Sequence, residues 1–281
     1  MEYNNAWGLM VGAPGRGVRT IVEMVVHTRL DCTIGSAALM RVAAQQAAHH
    51  AATRRAFGTT LADAPLMRAV LSDLALESEA AIATWQRLGR AFDAAATGGD
   101  ESEIAFRRLA TAIGKYWVCK RAPSAVYEAM ECFGGNGYVE DGPMARLYRQ
   151  APLNAIWEGS GNVICLDVLR SMRVEPSSVR AFLDELGRAR GADRRYDAFL
   201  TELTHELTMP DPASAERRAR LLVDRMAVAL QAAAQHPSQM PEEGWRWGSG
   251  GVGECRSAGV QECTGVRECG GVGGAGHLRA C

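Results

Sequence analysis

Residues 156–162, Ile-Trp-Glu-Gly-Ser-Gly-Asn, set one carboxylate, Glu158, between a large aromatic side chain and a run of small residues that opens an apolar helix. An acid at a helix mouth is favoured by the positive end of the macrodipole, and on residue types alone that is the plainer reading. The small residues also let a second molecule approach the backbone beside that acid. Ser160 and Asn162 follow it. At a helix start, free N–H groups suit a phosphate or a ring carbonyl, and both side chains can donate or accept there; they serve as a helix cap just as often. Other chemically able residues read as ordinary: His49 and His50 suit a solvated helix face, and Cys32, Cys119, Cys132 and Cys165 lack paired CxxC spacing, as expected of reduced core thiols.

The elements that would position Glu158 are helices. Apolar residues recur at three-to-four spacing over 18–53, again over 66–92 and again over 103–133, joined by the connector RRAFGTTLADAP and by TGGDESE. The third helix ends at the turn ECFGGNGYVEDG; a short helix over 144–150 and another opening at Ser160 follow. Residues 1–17 form a turn-rich lead-in, and strand signals are almost absent. Long helices with short links predict an all-α fold, an antiparallel four-helix bundle over 18–172, with further amphipathic helices over 173–236.

At 281 residues, 47% hydrophobic and with a net charge of −1, the chain can bury a sizeable core and does not advertise nucleic acid or an anionic membrane as partner. No apolar run reaches the ~18 residues of a membrane span and the start lacks a signal-peptide layout, so the cytoplasm is the expected compartment. Lys115 and Lys120 are the only lysines, which points to biased base composition of the coding DNA. From residue 244 the composition turns to glycine, arginine and cysteine, so 237–281 is expected to be a disordered, non-native tail. Cys255, Cys263, Cys269, Cys281 and His277 are spaced too loosely for a metal site, and none is expected elsewhere.

Three motifs in order, RRAFG at 54–58, ECFGGNGYVEDGPMARLYRQAP at 131–152 and IWEGSGNVICLDVLR at 156–170, resemble the carboxy-terminal helical domain of the acyl-CoA dehydrogenase family, closest to its AidB-like branch of alkylation-response flavoproteins. The resemblance runs from about residue 7 to 235 and implies FAD as cofactor, an acyl-CoA thioester as substrate and a homo-oligomer, expected to be a tetramer. It implies that Glu158 is the base for the proton beside the thioester carbonyl, since the family's base sits in an aromatic-Glu-Gly-small run; burial makes a carboxylate a stronger base. In some relatives the base precedes an arginine of the first long helix, and here Thr28 stands before Arg29. Arg29 itself matches an arginine near the thioester, although a structural ion pair explains it equally.

Trp157, Ser160 and Asn162 would touch the flavin of their own subunit. Arg54, Phe57, Phe133, Gly134 and Gly135 would reach the dinucleotide of a neighbouring one, the arginine suiting a pyrophosphate and the glycines offering bare backbone. Glu131 departs from the family's usual glutamine, as the AidB-like branch does. Family members carry a helical domain and a β-domain before this one, of which residues 1–17 are read as a remnant, so the chain alone is expected to hold FAD poorly. Two alternatives stay open: an AidB-like flavoprotein associated with DNA, through the arginine-rich helices GRARGADRR (187–195) and ERRARLL (216–222), or an inactive truncated chain. Acids interleave both arginine runs, as on any solvated face.

Overall fold

The structure, a computed structural model, describes residues 2–98, 100–208 and 214–235. Apolar periodicity becomes three long helices, α1 (Gly17–Thr53), α2 (Pro65–Ala96) and α3 (Glu101–Glu131). On α1 the buried stripe Thr33, Ala37, Met40, Ala43, Ala47, Ala51 steps by three and four, and its small side chains let the neighbouring helices approach closely. Their direction follows from what meets at each level. Leu30 joins Leu88 and Ile113, Met40 joins Ala81 and Val118, and Ala47 joins Leu74 and Val126. Numbers rising along α1 and α3 while falling along α2 define an up-down-up arrangement. Asp100 starts α3 by accepting from the Ser102 amide, and Pro65 at the first turn of α2 gives up no needed donor.

Two short helices, α4 (Gly135–Tyr138) and α5 (Met144–Gln150), lead to α6 (Gly161–Val174), which packs on α3 as the fourth member of the bundle. Beyond it come α7 (Pro176–Gly187), α8 (Arg194–Thr208) and α9 (Ala215–Ala234). The all-α reading therefore holds, and α3 is its centre, touching α1, α2, α6, α7 and α9. Helix α9 is tied to α3 by bonds from the Tyr116 hydroxyl to Asp224 (2.7 Å) and from the Trp117 indole to Gln231 (2.7 Å). Buried Arg87 on α2 donates to Glu185 of α7 at 2.6 and 2.9 Å and to Glu103 of α3 at 2.9 and 3.0 Å, with its guanidinium 4.1 Å over the Phe106 ring. Burial alone would lower the Arg87 pKa, but the hydrogen bonds it donates to the two acids push it up.

Three local readings are corrected. The connector after α1 contains a two-stranded hairpin, β1 (Arg55–Ala56) and β2 (Thr59–Thr60), whose turn residues Phe57 and Gly58 both have positive φ (54° and 81°), the geometry that suits a two-residue hairpin turn. Residues 187–195 are not an arginine-rich helix: α7 stops at Gly187, Gly191 takes φ +89°, and the Asp193 carboxylate caps α8 through the amides of Arg195 and Tyr196. The glycine turn after α3 contains one helical turn, α4. The expected disordered tail, with Cys255, Cys263, Cys269, Cys281 and His277, lies outside the described residues. Among the described residues, no helix is long and apolar enough to cross a membrane.

Because Arg87 and Glu185 are only 4% and 2% exposed, Glu185→Ala leaves a buried guanidinium short of its main partner. That should cost about 3 kcal/mol, read as a fall in the urea midpoint.

Candidate functional site

Glu158 sits just before α6 in a left-handed backbone conformation, φ +58°, followed by Gly159 at φ +109°. A non-glycine residue there pays about 1–2 kcal/mol, because its Cβ crowds the neighbouring carbonyl. Two cations hold the segment in place. Lys115 of α3 donates from Nζ to the carbonyl oxygens of Trp157 (2.8 Å) and Gly159 (2.7 Å), and Arg29 of α1 donates from Nε to that of Glu158 (3.2 Å). Three successive carbonyls thus turn onto two buried or half-buried charges. Arg29 also pairs with Asp167 of α6 at 2.6 Å, so the ion-pair reading of this arginine is realised together with its place beside Glu158.

The Glu158 carboxylate accepts no hydrogen bond from any described residue. It lines a cleft of about 560 Å³, where Thr28, Asp31 and Cys32 of α1 face Asn154, Trp157 and Glu158. The Trp157 indole donates to Asn154 Oδ1 (3.0 Å), and Asn154 donates to Ser36 Oγ (3.2 Å), which fixes the wall of the cleft to α1. Ser160 and Asn162 lie exposed at the start of α6, next to Glu158; Ser160 stands at the N-cap position but makes no side-chain capping bond. Its hydroxyl is left free of the capping role.

A second group of the expected site residues lies elsewhere. From Arg29 to Arg54 at its end, α1 climbs roughly 38 Å at about 1.5 Å per residue. There the exposed Arg54 guanidinium has no carboxylate partner among the described residues, and Phe57 stands 99% exposed at the hairpin tip. Phe133 is stacked on His50, ring centroids 4.4 Å apart, which corrects the reading of His50 as a solvated face: the end of α3 covers that side of α1. Burial lowers the His50 pKa, and Arg54 and His49 push it the same way. Gly134 (φ +59°) and Gly135 have open space where a Cβ would stand. Glu131 is exposed and forms no ion pair among the described residues.

Lys115 was not anticipated. It is 1% exposed and lies in the middle of α3, where sequence periodicity marks an apolar position. Its signal was there to find: one of two lysines in a chain with 31 basic residues. Burial lowers its pKa; Cys119, Cys32 and Glu158 oppose that, and Arg29 adds to it. Asp167, Asn154 and Ser36 were missed as well: Asn154 and Asp167 are near Glu158 in the chain, but their bonds to Ser36 and Arg29 of α1 depend on how the helices pack.

The four cysteines of the bundle are buried and free, and burial pushes the Cys119 thiol up to about 12, so they stay protonated. No group of three His, Cys, Asp or Glu side chains forms a metal-binding cluster among the described residues. In the arginine-rich runs, Arg188 pairs with Glu185 (3.0 Å), Arg195 with Asp193 (2.9 Å) and Arg218 with Glu206 (2.7 Å), which leaves these guanidiniums already engaged.

Residues 15–173 match the acyl-CoA dehydrogenase C-terminal domain, and the chain belongs to the acyl-CoA dehydrogenase family. It is 42% identical over 210 residues to AidB of Escherichia coli (strain K12), covering 75% of this chain and 38% of that protein. Acyl-CoA dehydrogenase family member 11 of Caenorhabditis elegans is 32% identical over 173 residues, 61% of this chain and 28% of its own. The fold is similar to the crystal structure of Caenorhabditis elegans ACDH-11 in complex with C11-CoA, with a TM-score of 0.71 and 27% identity, covering 80% of this chain and 42% of that one. The chain therefore spans 38% and 28% of the length of these two curated relatives. The resemblance carried by the three motifs is confirmed.

The strain at Glu158 can be measured. Glu158→Gly removes about 1–2 kcal/mol of left-handed strain and adds about 0.5–1 kcal/mol of backbone entropy cost, so the variant should be more stable by about 0.5–1 kcal/mol in urea unfolding.

Proposed function

We propose that the chain serves FAD-dependent dehydrogenation of an acyl-CoA thioester, with Glu158 as the base that removes the proton beside the thioester carbonyl. The carrying observation is a carboxylate with no hydrogen-bond donor of its own, at a cleft of about 560 Å³, on a backbone held by Lys115 and Arg29. Such a group is free to accept from a ligand and costs little to reorganise, which is what proximity catalysis requires. Thr28, at the place of the alternative base, carries no acid, so the role falls to Glu158. Arg29 fits a place near the thioester, its guanidinium set by Asp167. The C11-CoA held by the Caenorhabditis elegans relative supports an acyl-CoA as the ligand class.

The residues present fit the flavin dinucleotide. Arg54 is exposed and without a carboxylate partner among the described residues, Gly134 and Gly135 leave open backbone, and the first turn of α6 presents a Ser160 hydroxyl that caps nothing. In this reading Trp157, Ser160 and Asn162 hold the ring end, and Arg54, Phe57, Phe133, Gly134 and Gly135 hold the dinucleotide end of a neighbouring copy. FAD, when bound, supplies the acceptor for the hydride that leaves the adjacent carbon. The chain's residues bind, orient and deprotonate. The separation of the two groups by most of the length of α1, and the bare Phe57 at a hairpin tip, support a site shared between copies in a homotetramer.

Exchange of the α-proton of an acyl-CoA into deuterated water reads the base directly. With FAD supplied, Glu158→Gln should slow that exchange about 100-fold or more while keeping the cleft's shape, and undiminished exchange would place the base elsewhere. Sedimentation of the chain at micromolar concentration should show an assembly larger than a monomer, and a well-folded monomer would remove the shared site.

A further inference from the structure

Two of the donors that meet the carbonyls around Glu158 come from a single ammonium. Lys115 Nζ closes on the carbonyls of Trp157 and Gly159, one residue to each side of Glu158, while Arg29 takes the carbonyl between them. A chain in which one ammonium holds the carbonyls of residues 157 and 159 and a guanidinium holds the one between has little choice of backbone at the middle residue. Glu158 accordingly stands at φ +58°. Left-handed conformations of ordinary residues persist only where the surroundings over-determine them.

Lys115 is a costly residue for its place. It is 1% exposed on the central helix and has no carboxylate within ion-pair reach among the described residues. A buried ammonium without a counter-ion is strongly disfavoured unless hydrogen bonds compensate it, and packing alone would be better served by leucine or methionine. The compensation visible is the pair of carbonyls at 2.7 and 2.8 Å. The chain uses arginine almost everywhere else, yet a planar guanidinium is a wide fork, whereas a compact ammonium presents tetrahedral donors that two carbonyls separated by one residue can share.

We propose that Lys115 is a positioning residue for the base: its ammonium, bridging the carbonyls of Trp157 and Gly159, locks Glu158 in the left-handed conformation that presents its carboxylate to the cleft. The role in catalysis rests on the reading of Glu158 as base; the lock itself does not. Charged and titratable groups around the ammonium are Arg29, Glu158, Cys32 and Cys119, and among the described residues none of them replaces its bonds to the two carbonyls.

A double-mutant cycle on the full chain tests the lock. Glu158→Gly relieves strain only if something imposes the strain. Its rise in urea midpoint should therefore appear in the native background and in Lys120→Met, the exposed neighbouring lysine, and vanish in Lys115→Met. An equal rise in all three backgrounds would overturn the proposal, since a merely structural lysine lowers every midpoint without changing the increment. If Lys115→Met does not fold, Lys115→Gln, too short to reach both carbonyls, enters the same cycle with the same two outcomes. A measurement without substitution stands beside it: with only two lysines, a 15N spectrum of side-chain ammonium groups should show one slowly exchanging signal, and fast exchange at both would overturn the bridge. The proton-exchange assay of Glu158→Gln reads the base and this cycle reads the lock, so failure of either is recognised separately.

Discussion

Helix α3 must satisfy neighbours on every side, and the architecture follows from that constraint. Its buried residues include Phe106, Leu109, Ile113, Tyr116, Val118, Cys119, Ala122 and Val126, which together girdle the helix instead of forming one stripe. A helix whose middle turns are buried on every side has to be enclosed there, and α1, α2, α6, α7 and α9 enclose it. Each large side chain buried in this way contributes about 1.5–3 kcal/mol, so the enclosure is the main source of stability. The polar exceptions on α3 are then conspicuous. Lys115 turns to the segment before α6, and Tyr116 turns to α9, so the same helix that organises the core also fixes the site.

Helix α1 separates the two groups of expected site residues while holding them at a fixed spacing. Arg29 and Cys32 stand at the cleft, His50 and Arg54 at the far end, on one helix of 37 residues packed along its length against α2 and α3. Nothing along that span bends it enough to bring Arg54 to Glu158. A dinucleotide is long, but the distance of roughly 38 Å along the helix is longer than one bound molecule needs to bridge within a single chain. The proposed sharing of a site between copies rests on that separation.

Charge is handled differently inside and outside. The buried Arg87 is shared by two acids and an aromatic face, an arrangement that ties α2, α3 and α7 together. Several arginines of the later helices, among them Arg195 and Arg218, pair with acids at the surface, where such pairs are worth little. At the strained turn before α6, by contrast, the buried Lys115 ammonium is met by backbone carbonyls, while Arg29 divides its guanidinium between the Glu158 carbonyl and Asp167.

Periodicity carried most of the fold. Helices over 18–53, 66–92 and 103–133 were legible because apolar residues repeat at helical spacing over many turns, and their observed ends differ by a few residues. The hairpin at Arg55–Thr60 and the break at Gly191 were not, because each depends on a positive φ at one or two residues that composition does not announce. Glu158 was legible through its motif of aromatic, acid and small residues. Its setting was not: Lys115 and Arg29 come from distant stretches, and only packing of α3 and α1 against the segment before α6 brings them to one turn. Sequence by itself determined which segments are helical and which carboxylate stands at a helix mouth, since both are local properties of residue spacing. The tertiary structure alone decided that this carboxylate would be strained, clamped and left without a donor, because those are relations between side chains brought together from helices dozens of residues apart.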